Sequence, residues 1–167
     1  MILNINGPIN SGKSTISQLL VKQLPNSIFI EVDDLLSDEE KINFPNFESR
    51  INERINRLFI KLNNYLTIGN YDYIIFAYPM SDEIYNEILK IINSKEIFFV
   101  ITLCPKMEIC RINRGNRELN DWEKNRIIEM YKNGLTSYGK TDKFIDNTYQ
   151  DAEETVKEVL EFIKNKT

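Results

Sequence analysis

Hydrophobic positions along the chain switch repeatedly between the two periods that mark strands and helices. Met1 to Asn6, MILNIN, alternates apolar and polar residues as a short strand does, and Gly7-Pro8 ends it. Ser14 to Leu24 carries Ile16, Leu19, Leu20 and Leu24 at helical spacing and stops at Pro25. Ser27 to Val32, SIFIEV, is a second strand that runs into Asp33-Asp34. Phe47 to Ile68 keeps Ile51, Ile55, Leu58, Phe59, Leu62, Tyr65 and Leu66 on one face of a long helix, closed by Gly69-Asn70. Tyr71 to Ala77 and Ile97 to Leu103 are almost wholly apolar, which is what strands covered on both faces require.

A helix over Ser81 to Asn93 separates those two strands. Beyond Cys104-Pro105 the pattern predicts a short helix to about Asn113, a polar Arg-rich segment to Leu119, and a helix from Asp121 to about Asn133. Asn120 and Glu123 form a capping box at the start of that last helix. Lys143 to Asp146 supplies a fifth strand and Ala152 to Lys164 the final helix. Strands that alternate with helices predict an α/β domain over residues 1–167, a three-layer sandwich around a five-stranded parallel sheet. Ligands in such sheets sit at the carboxyl ends of the strands. Here those ends carry Gly7 to Ser14, Asp33-Asp34, Tyr78 to Ser81, Cys104-Pro105 and Asp146-Asn147-Thr148.

Gly7-Pro8-Ile9-Asn10-Ser11-Gly12-Lys13-Ser14 matches G-x-x-x-x-G-K-[ST], with a strand before it and a helix after it. Such a phosphate loop points backbone N–H groups into a hollow, a path that glycine permits. Gly7, Asn10, Ser11, Gly12, Lys13, Ser14 and Thr15 are thus candidates to hold ATP. Lys13 would reach the β and γ phosphates, and the Ser14 hydroxyl would ligate Mg²⁺. No N-K-x-D guanine reader and no D-x-x-G switch follows, which argues against a GTPase. At 167 residues the chain is also too short for a helicase, motor or transporter core, so a small kinase fits best.

Composition sharpens this reading. The sequence has no His, so no imidazole base and no His-ligated metal is available, and acid–base chemistry falls to carboxylates. Asp33 is the expected base or acceptor-orienting residue, with Asp34 second and Glu31 holding a Mg²⁺ water. A net charge of −4 provides no overall field for nucleic acid or an anionic membrane. Cys104 and Cys110 lack metal or redox spacing, and with no secretory or membrane-spanning pattern a reduced, cytoplasmic protein is expected. Arg111, Arg114 and Arg117 recur every three residues and suit a lid over ATP, at about residues 112–121, with Arg114 and Arg117 its working side chains. Arg50, Arg54 and Arg57 form a second stripe beside the apolar face of the long helix, within an acceptor-binding region at about 34–68. A solvated face is the commoner role of such a stripe, and Arg54 is the candidate for holding an anionic acceptor. Tyr78 and Ser81 are candidates to line the acceptor pocket.

The segments NGPINSGKST, IEVDDL and NRGNRELNDWEKNRI together resemble small bacterial phosphate-loop kinases of the shikimate-kinase-like or chloramphenicol-phosphotransferase-like kind, along nearly the whole chain. The resemblance implies a P-loop NTPase fold of the nucleoside monophosphate and shikimate kinase type. It implies an ATP- and Mg²⁺-dependent phosphotransferase acting on a hydroxyl of a small molecule such as an antibiotic or sugar-like compound. It also places Asp33 where the acceptor-binding, base-acting Asp of those relatives belongs, and Asp146 and Asn147 near the adenine. The glycine-rich turn that shikimate kinases carry after the third strand is replaced by FAYPMS at Phe76 to Ser81, which argues against shikimate. Likeness to the tunicamycin-resistance type of ATP-binding protein supplies an alternative, a protein that sequesters its ligand without transferring phosphate.

Overall fold

The computed structural model describes residues 1–92, 96–113 and 117–166. Five strands, β1 (Ile2–Asn6), β2 (Ser27–Glu31), β3 (Tyr73–Ala77), β4 (Phe98–Leu103) and β5 (Lys143–Ile145), form one parallel sheet in the order β2-β3-β1-β4-β5. Six α-helices connect or follow them: α1 (Lys13–Gln23), α2 (Phe47–Ile68), α3 (Asp82–Ile91), α4 (Met107–Cys110), α5 (Asp121–Lys132) and α6 (Ala152–Lys164). Three short 3₁₀ turns, at Val32–Leu35, Glu40–Asn43 and Leu135–Ser137, complete the elements among the described residues. The expected five-stranded parallel α/β sandwich is thus the fold observed.

Leu58 and Leu62 of α2 and Ile84 and Ile88 of α3 pack with Ile2, Ile74, Phe76 and Val100 on one face of the sheet. Ile16 and Leu20 of α1 and Val156, Val159 and Ile163 of α6 pack with Leu3, Ile5, Ile75, Ile101 and Leu103 on the other. Side chains of successive strand residues point to opposite faces, so a strand covered twice must be apolar at every position. β1 breaks that rule. All five of its residues are buried, including Asn4 and Asn6. Hydrogen bonds satisfy Asn6 fully and Asn4 in part: Asn4 Nδ2 donates to Tyr78 O at 3.0 Å, Asn6 Nδ2 donates to Thr102 Oγ1 at 2.9 Å, and Met80 N donates to Asn6 Oδ1 at 2.9 Å, while Asn4 Oδ1 is buried without a partner among the described residues. Two of these bonds fix the Tyr78–Ser81 loop above the end of the central strand. The alternation in MILNIN therefore records polar anchors inside the core, where a period-two pattern ordinarily marks a solvated face.

Several boundaries differ from the sequence reading. α1 begins at Lys13, one residue early, because Gly12 at φ 97° takes the N-cap position. β2 ends at Glu31, and Val32, expected in the strand, opens a 3₁₀ turn that also contains Asp33 and Asp34. Glu31 thus closes the strand, while Asp33 and Asp34 lie in the turn that follows it. The long helix ends as expected, with Gly69 at φ 69° closing α2. Both halves of the Asn120–Glu123 capping box are present at α5.

Candidate active site

At the carboxyl end of β1 the chain turns through Gly7 at φ 147°, a left-handed conformation. A Cβ there would stand 2.8 Å from the Leu103 carbonyl oxygen and 2.7 Å from Ser11 Oγ. The loop then enters α1, whose N-terminus has no side-chain cap, so its first-turn N–H groups are left for a ligand. A cavity of about 340 Å³ lies against this turn, lined by Asn10, Ser11, Gly12, Lys13, Ser14 and Thr15. Its far side is Asn147, Gln150, Asp151, Ala152 and Thr155, from the end of β5 and the start of α6. Ser11 Oγ and Asn147 Oδ1 are buried there without hydrogen-bond partners among the described residues. An uncapped helix start, a cradle too tight for a Cβ and orphaned polar atoms fit a phosphate ester.

Lys13 Nζ donates to Pro8 O at 2.8 Å. The residue keeps some accessible surface, yet its ammonium lies deep among protein atoms, and burial lowers its pKa to about 8 against the opposing pull of Asp33, Cys110 and Glu31. Burial first, and then the neighbouring Asp33 and Asp34 charges, raises the Glu31 carboxyl above the ordinary range, against the opposing influence of the adjacent Ser14 hydroxyl and of Lys13. A hydroxyl and a carboxylate in contact beside the phosphate loop suit a hydrated divalent cation shared with phosphate oxygens. Among the described residues no group of three or more Cys, Asp or Glu side chains forms a metal cage, so such a cation would depend on the nucleotide for its remaining ligands.

A second, larger cavity of about 720 Å³ adjoins the first. Asn10, Lys13, Ser14 and Arg117 line both. Glu31, Asp33, Arg54, Tyr78 and Ser81 line only the second. Asp33 is exposed and stands 3.4 Å from an Arg54 Nη, while Arg54 Nε is buried without a partner among the described residues. Burial first, and then the Asp33 charge, pushes the Tyr78 hydroxyl up to about 12, which keeps it a proton donor. Asp34 is exposed and lines neither cavity.

The two arginine rows divide. In the long helix, Arg57 pairs with Glu53 and Glu40 at 2.7 Å each and donates to Leu35 O, and Arg50 donates to Phe44 O. Both are structural, which leaves Arg54 as the cavity residue of that stripe. In the other row, Arg114 lies outside the described residues, and Arg117 Nη2 pairs with Glu123 Oε1 at 2.7 Å. Asn10 lines the phosphate-loop cavity, and its amide also donates to Cys110 O at 3.0 Å and Ile112 O at 2.9 Å, tying the phosphate loop to the end of α4. Asp146 is occupied locally, accepting from the backbone N–H and hydroxyl of Thr148, and lines neither cavity. Asn147 does, and donates to Ser11 O at 3.0 Å.

Sequence reasoning missed Gln150, Asp151 and Thr155 in the phosphate-loop cavity and Trp122, Arg126 and Met130 in the larger one, whereas Phe47 and Met80 fall within stretches it assigned to the acceptor side and the ligand-bearing rim. Arg126 and Met130 lie one helical turn apart on α5, a spacing that marks a common face without saying what the face meets.

No protein-family model matches the chain, and no curated protein matches it in sequence. Solved structures do resemble it over nearly its whole length. Shikimate kinase from Aquifex aeolicus is 20% identical with a TM-score of 0.66, covering 99% of this chain and 98% of that one. The Deinococcus radiodurans tunicamycin resistance protein is 15% identical with a TM-score of 0.64, covering 97% and 94%. A gluconokinase from Sinorhizobium meliloti is 14% identical with a TM-score of 0.67, covering 95% and 88%. The fold is that of the phosphate-loop kinases. At these identities the likeness is one of fold, and it agrees with the resemblance carried by the sequence motifs. Among the described residues no helix is long and apolar enough to cross a membrane.

Proposed function

We propose that the protein is a small-molecule kinase that moves the γ-phosphoryl group of ATP onto an alcohol. The observation that supports this reading best is the meeting of two cavities at Lys13, Ser14 and Arg117. One has the loop of a phosphate site and the other carries a carboxylate and a large wall for an acceptor. A group in transfer must touch both partners, and it would do so at that junction.

In this reading the acceptor hydroxyl oxygen bonds to the γ-phosphorus while the bond from that phosphorus to the β–γ bridging oxygen breaks. The hydroxyl proton goes to Asp33, and ADP leaves with the bridging oxygen. Lys13 exchanges Pro8 O for phosphate oxygens and, with Arg117, faces charge that spreads over the transferring group. Arg54 holds Asp33 beside the acceptor. Glu31 and Ser14 would hold Mg²⁺, which neutralises charge on the β and γ oxygens when bound. The neighbours' printed activities, shikimate kinase, gluconokinase and a sugar kinase, are consistent with phosphoryl transfer to an alcohol.

The test is Asp33→Asn assayed with ATP, Mg²⁺ and a panel of alcohols. Loss of a general base costs about 10²–10⁴-fold in turnover, with ATP affinity nearly unchanged. Full activity in Asp33→Asn removes Asp33 from the chemistry. ATP and an alcohol that stabilise each other in melting experiments, with no phosphorylated product by mass spectrometry, would instead indicate a sequestering protein.

A further inference from the structure

Asp33 receives the proton in the proposed transfer, yet little in its own side chain fixes where it stands. That side chain is 71% exposed, and its ion pair among the described residues is with Arg54 at 3.4 Å. The turn that bears it, Val32–Leu35, is a single 3₁₀ turn between the buried side chains of Val32 and Leu36, with Asp33 and Asp34 in water. Such a turn leaves its last carbonyls without a partner of its own. Arg57 supplies one. Its Nη1 donates to Leu35 O at 2.8 Å and to Glu40 Oε1 at 2.7 Å, and its Nε donates to Glu53 Oε1 at 2.7 Å. Glu40 Oε2 accepts from Ser37 N at 2.9 Å, so the chain from Leu35 to Glu40 is drawn onto one side chain of α2.

Arg57 stands three residues beyond Arg54, a spacing that puts both on one face of the helix with Cβ atoms about 5–6 Å apart. That face grips the turn twice, at the Asp33 carboxylate through Arg54 and at the Leu35 carbonyl through Arg57. The helix itself is fixed, because Leu58 and Leu62 are fully buried against the sheet. A 3.4 Å ion pair with a mostly exposed carboxylate does not define a reacting geometry by itself. A guanidinium with three bonded partners does, because its planar donors set direction as well as distance. Arg57 lines neither cavity, so its reach to the chemistry runs through the turn it holds.

We infer that Arg57 is a positioning residue, which holds the backbone of the Val32–Leu35 turn so that the Asp33 carboxylate faces the junction of the two cavities. The part played in transfer rests on the kinase reading; the anchoring of the turn does not. Water is the probe acceptor. Its oxygen bonds to the γ-phosphorus as the bond to the β–γ bridging oxygen breaks, its proton goes to Asp33, and ADP and phosphate are released. ATP hydrolysis with Mg²⁺ is measured for the full-length parent, Arg57→Ala, Asp33→Asn and the double variant. Arg57→Ala should lower kcat about 10–100-fold with KM for ATP within about twofold of the parent, since a misplacement of about 1 Å at a reacting group costs about 10²-fold. In the Asp33→Asn background the same change should cost less than about twofold, because the group it positions is gone. Arg57→Lys keeps the charge without the fork and should fall between the parent and Arg57→Ala; it carries the cycle if Arg57→Ala does not fold.

Arg57→Ala turning over like the parent overturns the inference, as does equal slowing in both backgrounds, which a residue that only supports the fold would give. Hydrogen exchange is followed separately. It should rise over residues 33–40 in Arg57→Ala and stay unchanged over residues 7–15. A parent that releases no ADP with water or with any alcohol removes the kinase, and a rise confined to residues 33–40 then leaves the anchoring. ADP release by the parent with no rise over residues 33–40 in Arg57→Ala leaves the kinase and removes the anchoring.

Discussion

In the proposed reading Lys13 would tie ATP binding to pH, by an amount set by its surroundings. Without a ligand its ammonium donates to the Pro8 carbonyl, and burial holds its pKa at about 8. Phosphate oxygens alongside would favour the charged form and raise that value. At pH 7 about ten in eleven molecules carry the proton before ATP arrives, and at pH 9 about one in eleven does. If the bound lysine keeps its proton, ATP affinity falls about tenfold between pH 7 and pH 9, or about 1.4 kcal/mol, and binding at pH 9 takes up about 0.9 proton. The phosphates themselves are essentially fully ionised above about pH 7.5, so they add little over the upper part of the range.

The sign for folding is opposite. The folded pKa lies below the unfolded value, so the unfolded chain binds more protons between about pH 8 and 10.5, and the contribution of Lys13 to the stability of the ligand-free protein grows as pH rises through that window. Calorimetric titration with ATP in two buffers of different ionisation enthalpy measures the proton uptake. The stability difference between the parent and Lys13→Met, followed against pH, measures the folding part. An ATP affinity that stays flat from pH 7 to 9 with no proton uptake would refute the reasoning.

Other expectations follow from single contacts. Gly7→Ala places a Cβ against the fixed Leu103 carbonyl at an unfavourable φ and should cost about 2–4 kcal/mol in urea unfolding, whereas Gly12→Ala, with nothing nearer than Asn147 Nδ2 at 4.0 Å, should cost only the about 1–2 kcal/mol of its φ. Equal losses would show that crowding at Gly7 is not the cause. Glu123→Gln keeps a side chain able to complete the α5 capping box but frees Arg117, which is half exposed. Unfolding should shift by less than about 1 kcal/mol while ATP binding tightens up to about fivefold, and weaker ATP binding would contradict a shared use of Arg117. Asn10→Ala removes two hydrogen bonds to the end of α4 and should lower stability by about 1–3 kcal/mol, measured by thermal unfolding; no change would mean that this tie does not hold the segment.

Much of the framework could be read from the chain alone because it depends on near neighbours in sequence. Eight consecutive residues, Gly7 to Ser14, specify the phosphate loop, because the φ of Gly7 and the helix start after Gly12 are local requirements. Apolar runs such as Phe98–Leu103 announced doubly covered strands, and the turn residue Gly69 closed α2. Tertiary structure decided what distant segments meet. Local pattern does not distinguish three arginines on one helix, and only the acids and carbonyls they reach make Arg50 and Arg57 structural and leave Arg54 at the cavity. The same holds for the aromatic contact of Phe47 with Trp122, for the tie from the Asn10 amide to the end of α4, and for Asn6 and the Asn4 amide nitrogen, whose partners come from a loop about 74 residues away and the neighbouring strand. Hydrophobic period records which side of an element is buried. It does not say against what, and the chemistry of this site lies in the answer to that second question.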